Sequence, residues 1–296
     1  MEYTYTFNDG AMIEVEQDDG QGYASGTTVW DACLVASKYI ETHAAKLARG
    51  GFGGKGTRPD NNSDSTTNNK SNTNNITVRV LELGSGTGLF GLVTARSLGS
   101  AGFSCSVLLT DTPKVAAFTS LNVTKNINAI ASFNTSNKNS SQILNSTMKT
   151  ASSSSSETTV KKNPLDASSQ NFGTSTLISI STAGLTWTAS LPIYDAKATE
   201  WLAIAPPDIV LLSDCVYEES SFAQLITTLR AVCANDTLVV LAYERRNFDA
   251  EVNFFKEFGQ FFRFKAVPEE DQDPLYKSVD DIYLFLAKKR VDTQDF

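Results

Sequence analysis

Two stretches of this 296-residue chain carry residues whose types and spacing could do chemistry. The first runs Val78-Arg79-Val80-Leu81-Glu82-Leu83-Gly84-Ser85-Gly86-Thr87-Gly88-Leu89-Phe90-Gly91. Apolar and β-branched residues lead into a glycine cluster, and an apolar, helix-compatible segment follows, so a strand, a tight turn and a helix start are expected. Glycines let backbone approach a ligand closely, and a helix N-terminus offers free N–H groups. That chemistry suits a nucleotide-like ligand. Gly86-Thr87-Gly88-Leu89-Phe90-Gly91 satisfies G-x-G-x-x-G, and Asp111 follows at the distance of a ribose-binding acid in a dinucleotide fold. On these residues alone NAD and a ligand-free structural turn both stay open. The second stretch is Pro207-Asp208-Ile209-Val210-Leu211-Leu212-Ser213-Asp214-Cys215-Val216-Tyr217. A buried strand ends at Ser213-Asp214, and Tyr217 lies close enough for both side chains to face one pocket. By spacing alone a helix cap plus a core tyrosine is the stronger explanation.

The elements that must position these residues can be read from periodicity. Tyr3 to Phe7 and Met12 to Glu16 alternate, with Asn8-Asp9-Gly10 between them, and predict a hairpin. Val29 to Leu47 has helical spacing, with Thr27 or Thr28 as cap and Trp30 at its start, either a core aromatic or a lid on a cofactor. Gly50 to Asn75 and Ala131 to Ser175 are polar and apolar-poor, and are expected to be disordered inserts in a single domain spanning 1–296. Between them come a helix from Leu89 to Leu98, a strand from Cys105 that ends in Asp111, and a helix from Pro113 to Ile127. Asp111 could also be a cap for that last helix. A short strand over Leu177 to Ile180 and the segment Gly184-Leu185-Thr186-Trp187 follow the second insert. Beyond the second chemical stretch the pattern gives a helix from Glu218 to Val232, a strand from Thr237 to Tyr243 and a helix from Asp249 to Gly259. Strands over Phe262 to Val267 and Asp281 to Ala287 come last, and Lys288-Lys289-Arg290 reads as a solvated tail. Strands alternating with helices predict an α/β doubly wound, mostly parallel sheet. The final pair, joined by Pro268 to Asp280 without a clear helix, suits an antiparallel arrangement.

Composition narrows the function classes. A formal net charge of −8 argues against nucleic-acid binding through a basic surface. It suits a basic partner or a lysine-bearing segment, and solubility explains it as well. The four cysteines form no C-x-x-C pair and His43 is the only histidine, so neither a metal site nor a Cys-His nucleophile is expected. The N-terminus lacks the basic and apolar regions of a signal peptide, and no apolar run could span a membrane. The expectation is a protein of the cytoplasm, or also of the nucleus, with no membrane partner.

Glu82-Leu83-Gly84-Ser85-Gly86-Thr87-Gly88 is similar to motif I of S-adenosylmethionine (SAM) methyltransferases. Outside the two inserts the chain resembles the seven-β-strand protein-lysine methyltransferases, most nearly the branch acting on valosin-containing protein, an AAA ATPase. The resemblance rests on Val29-Trp30-Asp31-Ala32, motif I, Leu109-Thr110-Asp111, Asn122 to Asn126 and Leu185-Thr186-Trp187. It continues in Ser213-Asp214-Cys215-Val216-Tyr217-Glu218-Glu219-Ser220, Tyr243-Glu244-Arg245-Arg246 and the segment from Val267-Pro268 through Asp281-Ile282-Tyr283. Motif I marks SAM enzymes in general, whereas Asp214-x-x-Tyr217 and Val29-Trp30-Asp31 are more specific. The inserts depart from the family, and Ser85 replaces a common alanine.

The resemblance implies a Rossmann-like, seven-stranded, mostly parallel sheet with an antiparallel last strand, plus the N-terminal hairpin. It implies SAM as cofactor and a lysine-bearing protein substrate, an AAA ATPase or chaperone. Gly84, Ser85 and Gly86 would surround the methionine portion, Asp111 would accept the ribose hydroxyls, and Trp187 would border the adenine. Trp30 would approach from the N-terminal helix, and Ser213 would contact the cofactor through its backbone. Asp214 would orient the substrate ammonium and Tyr217 would wall it by cation–π contact. Asp214 alone would raise the lysine pKa rather than lower it, and no dedicated base is evident, so the proton acceptor stays open, with water as one candidate. The rival readings are a SAM enzyme acting on protein histidine or a small molecule, a non-catalytic partner-binding module on the same fold, and an NAD-dependent oxidoreductase.

Overall fold

The computed structural model describes residues 1–18, 24–50, 77–131, 176–276 and 281–291. Apart from Gly50 and Ala131, the two inserts lie outside the described residues.

The amino-terminal alternation produces β1 (Glu2–Thr6) and β2 (Met12–Glu16), paired antiparallel with Tyr5, Ile13 and Val15 turned into the core. The chain then enters α1 (Asp31–Ala48). Neither Thr27 nor Thr28 caps this helix: Thr27 closes a short 3-10 turn, and Trp30 occupies the cap position with extended backbone and no side-chain cap bond. After the first insert come β3 (Thr77–Leu83), α2 (Leu89–Ser100), β4 (Ser104–Asp111) and α3 (Pro113–Ala131). β5 (Ile178–Thr186) is one continuous strand where the sequence pattern gives only its first turn of residues. Beyond it lie β6 (Ile193–Tyr194), α4 (Ala196–Ile204), β7 (Ile209–Ser213) and α5 (Phe222–Val232). The chain continues through β8 (Leu238–Glu244), α6 (Phe248–Phe261), β9 (Phe262–Ala266) and β10 (Ile282–Lys289).

The sheet order is β6-β5-β4-β3-β7-β8-β10-β9. β3, β4, β5, β7 and β8 pair in parallel, while β10 runs antiparallel to both β8 and β9. This is the expected seven-stranded, Rossmann-like architecture with its reversed last strand. The two-residue β6, antiparallel to β5, adds an unforeseen edge.

The central strands are mostly apolar because both faces are covered. Val80, Val107, Leu109, Leu211 and Val240 point to one side, where α1, α2, α3 and the hairpin pack. Leu81, Leu108, Leu212 and Leu241 point to the other, under α4, α5 and α6. The alternation is the period-two geometry of a strand read twice over.

Two asparagines fix the hairpin to this body. Asn122 and Asn126, one turn apart on α3, each accept a backbone N–H of β2 and donate to a carbonyl of the same residue, Glu16 and Glu14 respectively. Their side-chain amides continue the hydrogen bonding of an edge strand.

β6 and α4 have no strong apolar period to announce them. α4 is started by Asp195, whose Oδ1 accepts Ala198 N–H at 2.8 Å while Oδ2 accepts Gly184 N–H at 2.6 Å. The basic end is not a solvated tail. Lys288 and Lys289 finish β10, and Lys289 Nζ donates to the carbonyls of Arg230 and Cys233 at the end of α5. Arg290 Nε donates to Gly259 O, 2.7 Å, near the end of α6. Cations belong at such ends, where the last carbonyls lack helical partners. All four cysteines are buried free thiols. Among the described residues no helix is long and apolar enough to cross a membrane, and no cluster of His, Cys, Asp and Glu could hold a metal ion.

Candidate active site

In an open α/β sheet, ligands sit outside the carboxyl ends of the strands, where the strand order reverses. Here β3 is that point, flanked by β4 on one side and β7 on the other. A cavity of about 460 Å³ opens there, within the range of roughly 300–1,000 Å³ usual for small-molecule sites. Trp30, Gly84, Ser85, Gly86, Asp111 and Trp187 line it. So do Ser213, Asp214 and Tyr217. All nine residues singled out in the sequence therefore meet in one place, though they come from five separate segments.

The glycine turn forms one side. Gly84 and Gly86 have φ of +64° and +52°, a region that side-chain-bearing residues avoid. A Cβ on Gly84 would lie 2.8 Å from Cys215 Sγ and 3.4 Å from the Trp187 ring, and one on Gly86 would overlap the Gly26 carbonyl oxygen. Ser85 N–H bonds to Thr110 O at 2.9 Å, tying the turn to the end of β4. Asp111 stands beside it: Oδ2 accepts Gly86 N–H at 3.0 Å and Oδ1 accepts Thr112 N–H at 2.7 Å. Burial raises its pKa, and the two backbone donors oppose that rise. Each carboxylate oxygen keeps a lone pair after these bonds. The aspartate can thus take two further donors, such as the hydroxyls of a ribose. A backbone cradle without side chains, next to a fixed double acceptor, fits an adenosine-bearing cofactor.

Glu82 does not line the cavity. It is buried beneath the turn, where Oε2 accepts Gly91 N–H at 3.1 Å and Oε1 has no partner. Burial pushes its carboxyl well above the usual carboxylate range.

Asp214 and Tyr217 form the other end. Asp214 has φ of +57°, a left-handed conformation that aspartate tolerates better than most residues. Its carboxylate is no helix cap. Oδ1 accepts from Arg246 Nη1 at 2.8 Å and from Glu244 N–H at 3.3 Å, and Oδ2 accepts from Arg246 Nη2 at 2.7 Å. Arg246 also donates to Glu244 Oε2 at 2.8 Å, and its guanidinium carbon lies 5.5 Å from the Trp30 ring centre. Burial of the Asp214 side chain to 5% exposure shelters this pair. Tyr217 is 56% exposed, so it is a rim residue and not a core tyrosine. Trp30, 40% exposed, lines the same cavity from the start of α1.

The cavity also takes in residues the sequence reading left without a role: Arg246, Cys33, Glu218 and Gln224. Burial pushes the Cys33 thiol up to about 12, so it is an inert neutral wall. Arg246 had a usable signal. It follows β8, the next parallel strand beyond β7, and the carboxyl ends of neighbouring strands share a crevice.

Comparison with known proteins places this arrangement. Solved structures that it resembles include mitomycin 7-O-methyltransferase, at 8% identity and a TM-score of 0.36, covering 72% of this chain and 49% of that one. A methyltransferase from Pyrococcus furiosus matches at 11% identity and 0.39, covering 72% and 75%. Human N-acetylserotonin methyltransferase in complex with SAM matches at 10% identity and 0.35, covering 72% and 48%. The chain spans about half the length of the first of these and of the human enzyme. At such scores the likenesses add nothing to the strand order and the site described above. A family model is far more specific: the one described as lysine methyltransferase matches residues 7–161 and 169–261. With that match extending over most of its length, the chain belongs to the lysine methyltransferase family.

Proposed function

We propose that this protein is a SAM-dependent protein-lysine N-methyltransferase. The observation that carries the reading is the meeting, in one cavity, of a side-chain-free glycine turn with Asp111 at one end and Asp214 with Tyr217 at the other. Its cofactor is S-adenosylmethionine, which supplies an activated methyl group on a sulfonium.

Gly84, Ser85 and Gly86 provide close backbone for the amino-acid portion. Asp111 accepts the ribose hydroxyls with the lone pairs left over from Gly86 and Thr112. Trp187, packed against Gly84, offers an aromatic face for the adenine, and the end of β7 at Ser213 closes the floor. Tyr217 and Trp30 present aromatic rings at the mouth, where they can flank the stem and the charged head of a lysine. Asp214 lies beside them and orients the nitrogen. Glu218 adds a further carboxylate to the lining, and the net charge of −8 favours a basic segment over an acidic one. Holding nitrogen and methyl group in line, with water excluded, supplies most of the acceleration expected for such a two-body transfer. The substrate class is a protein that presents an accessible lysine, with AAA ATPases and chaperones as the first to try, in the cytoplasm or nucleus.

The test is transfer of label from tritiated SAM into a cell lysate, followed by mass spectrometry of labelled proteins. Methyl-lysine in protein is the expected result. Label confined to histidine or to small molecules would overturn the lysine assignment. Failure to bind SAM in calorimetry would overturn the enzyme reading altogether.

A further inference from the structure

Arg246 is the only cation among the described residues that line the cavity. Three carboxylates face it, each from a different element. Asp214, after β7, takes both arms of its guanidinium fork, and Glu244, at the end of β8, takes one of them. Glu251, on α6, accepts its backbone N–H at 2.7 Å. Trp30 covers it from the start of α1, and Glu218 lines the same cavity from the loop before α5. Its neighbour Arg245 is turned elsewhere, onto Asp281 and Tyr283.

A lysine in water carries its proton up to a pKa near 10.4, and only the neutral amine has the electron pair that attacks a methyl group. An unpaired carboxylate beside it would hold the proton on. Asp214 is not unpaired. A bidentate guanidinium, though shared with Glu244, offsets part of its field at a third group while leaving its oxygens in place. We infer that Arg246 is a positioning residue that offsets the charge of Asp214, so that a substrate lysine entering this end of the cavity gives up its proton to water. This inference rests on the lysine reading above. The step balances: one proton leaves to solvent, and the amine lone pair then forms the nitrogen–methyl bond. The sulfur–methyl bond breaks with its pair kept by sulfur, and the positive charge passes from sulfur to nitrogen.

The experiment follows label incorporation into lysate protein from neutral to alkaline pH, at saturating SAM, so that the acid limb reports the loaded enzyme. SAM affinity is measured separately by calorimetry. In Arg246→Gln the acid limb should move up by about one pH unit, with SAM affinity unchanged. Arg246→Lys, which keeps the charge, should hold the limb near its wild-type position. Glu244→Gln removes a negative charge from the same cluster and should move the limb down. It also decides the matter if Arg246→Gln does not fold. Lower activity at every pH with an unmoved limb in both charge-changing variants would make Arg246 merely structural and overturn the inference. Loss of SAM binding in Arg246→Gln would place the residue in the cofactor site and overturn it too. If instead the wild type labels no protein lysine, it is the functional reading that has failed.

Discussion

Asp111 is held by two backbone donors, and that rigidity makes it testable. Hydrogen bonds to a charged acceptor contribute about 1.5–3 kcal/mol each. Removing the carboxylate in Asp111→Ala, and with it two such bonds to the ribose, should therefore weaken SAM binding by about a hundred- to ten-thousandfold, and should also lower the melting temperature because Gly86 N–H and Thr112 N–H lose their acceptor. Calorimetry that found the wild-type affinity would remove Asp111 from the cofactor site. The acid was legible in the sequence because it stands at a fixed interval from the glycines. The partner of Asp214 was legible only in its place after the next parallel strand, not in its contact. Arg246 lies 32 residues from it along the chain, and only the parallel pairing of β7 with β8 brings the two together. The sequence also left Tyr217 as a core residue on spacing alone. Whether an aromatic faces the core or the mouth depends on the left-handed turn at Asp214, which no periodicity encodes.

At the level of elements, the glycine turn makes a sharper prediction than its consensus does. Gly86 and Gly10 both have positive φ, and either one replaced by alanine faces a backbone penalty of roughly 1–2 kcal/mol. At Gly10 a Cβ would meet nothing, whereas at Gly86 it would run into the Gly26 backbone. Gly10→Ala should thus lower the melting temperature by a few degrees and leave SAM binding intact. Gly86→Ala should cost more stability and abolish measurable SAM binding. Equal effects of the two substitutions would show that the turn adapts and that the close approach is incidental. The strands of the central sheet were readable because burial on both faces makes them mostly apolar runs. α4 was not, since its start depends on Asp195 reaching both Gly184 and Ala198. Lys289 and Arg290 misled for a related reason. A charged run looks like a tail until the helix ends it caps are placed around it.

Over the whole molecule, the two inserts join the described body at its far side from the cavity. Gly50 follows α1 and leads toward the amino end of β3, and Ala131 ends α3 ahead of the amino end of β5. Loop closure costs only slightly more for a long loop than for a short one. Replacing residues 51–76 and 132–175 with short Gly/Ser linkers should leave melting temperature and SAM affinity at wild-type values. If SAM binding disappeared, the segments would have to be part of the cofactor site; if only transfer to protein disappeared, they would be substrate-recognition segments. The position of β10 has a different kind of consequence. It is the last strand among the described residues, yet it sits inside the sheet with β8 on one side and β9 on the other. A ribosome delivers domains from the amino end, so β8 and β9 emerge with nothing yet to join them. Until residues 282–289 arrive, the valine- and leucine-rich edge of β8 and the phenylalanine-bearing edge of β9 stand open to pairing with other chains.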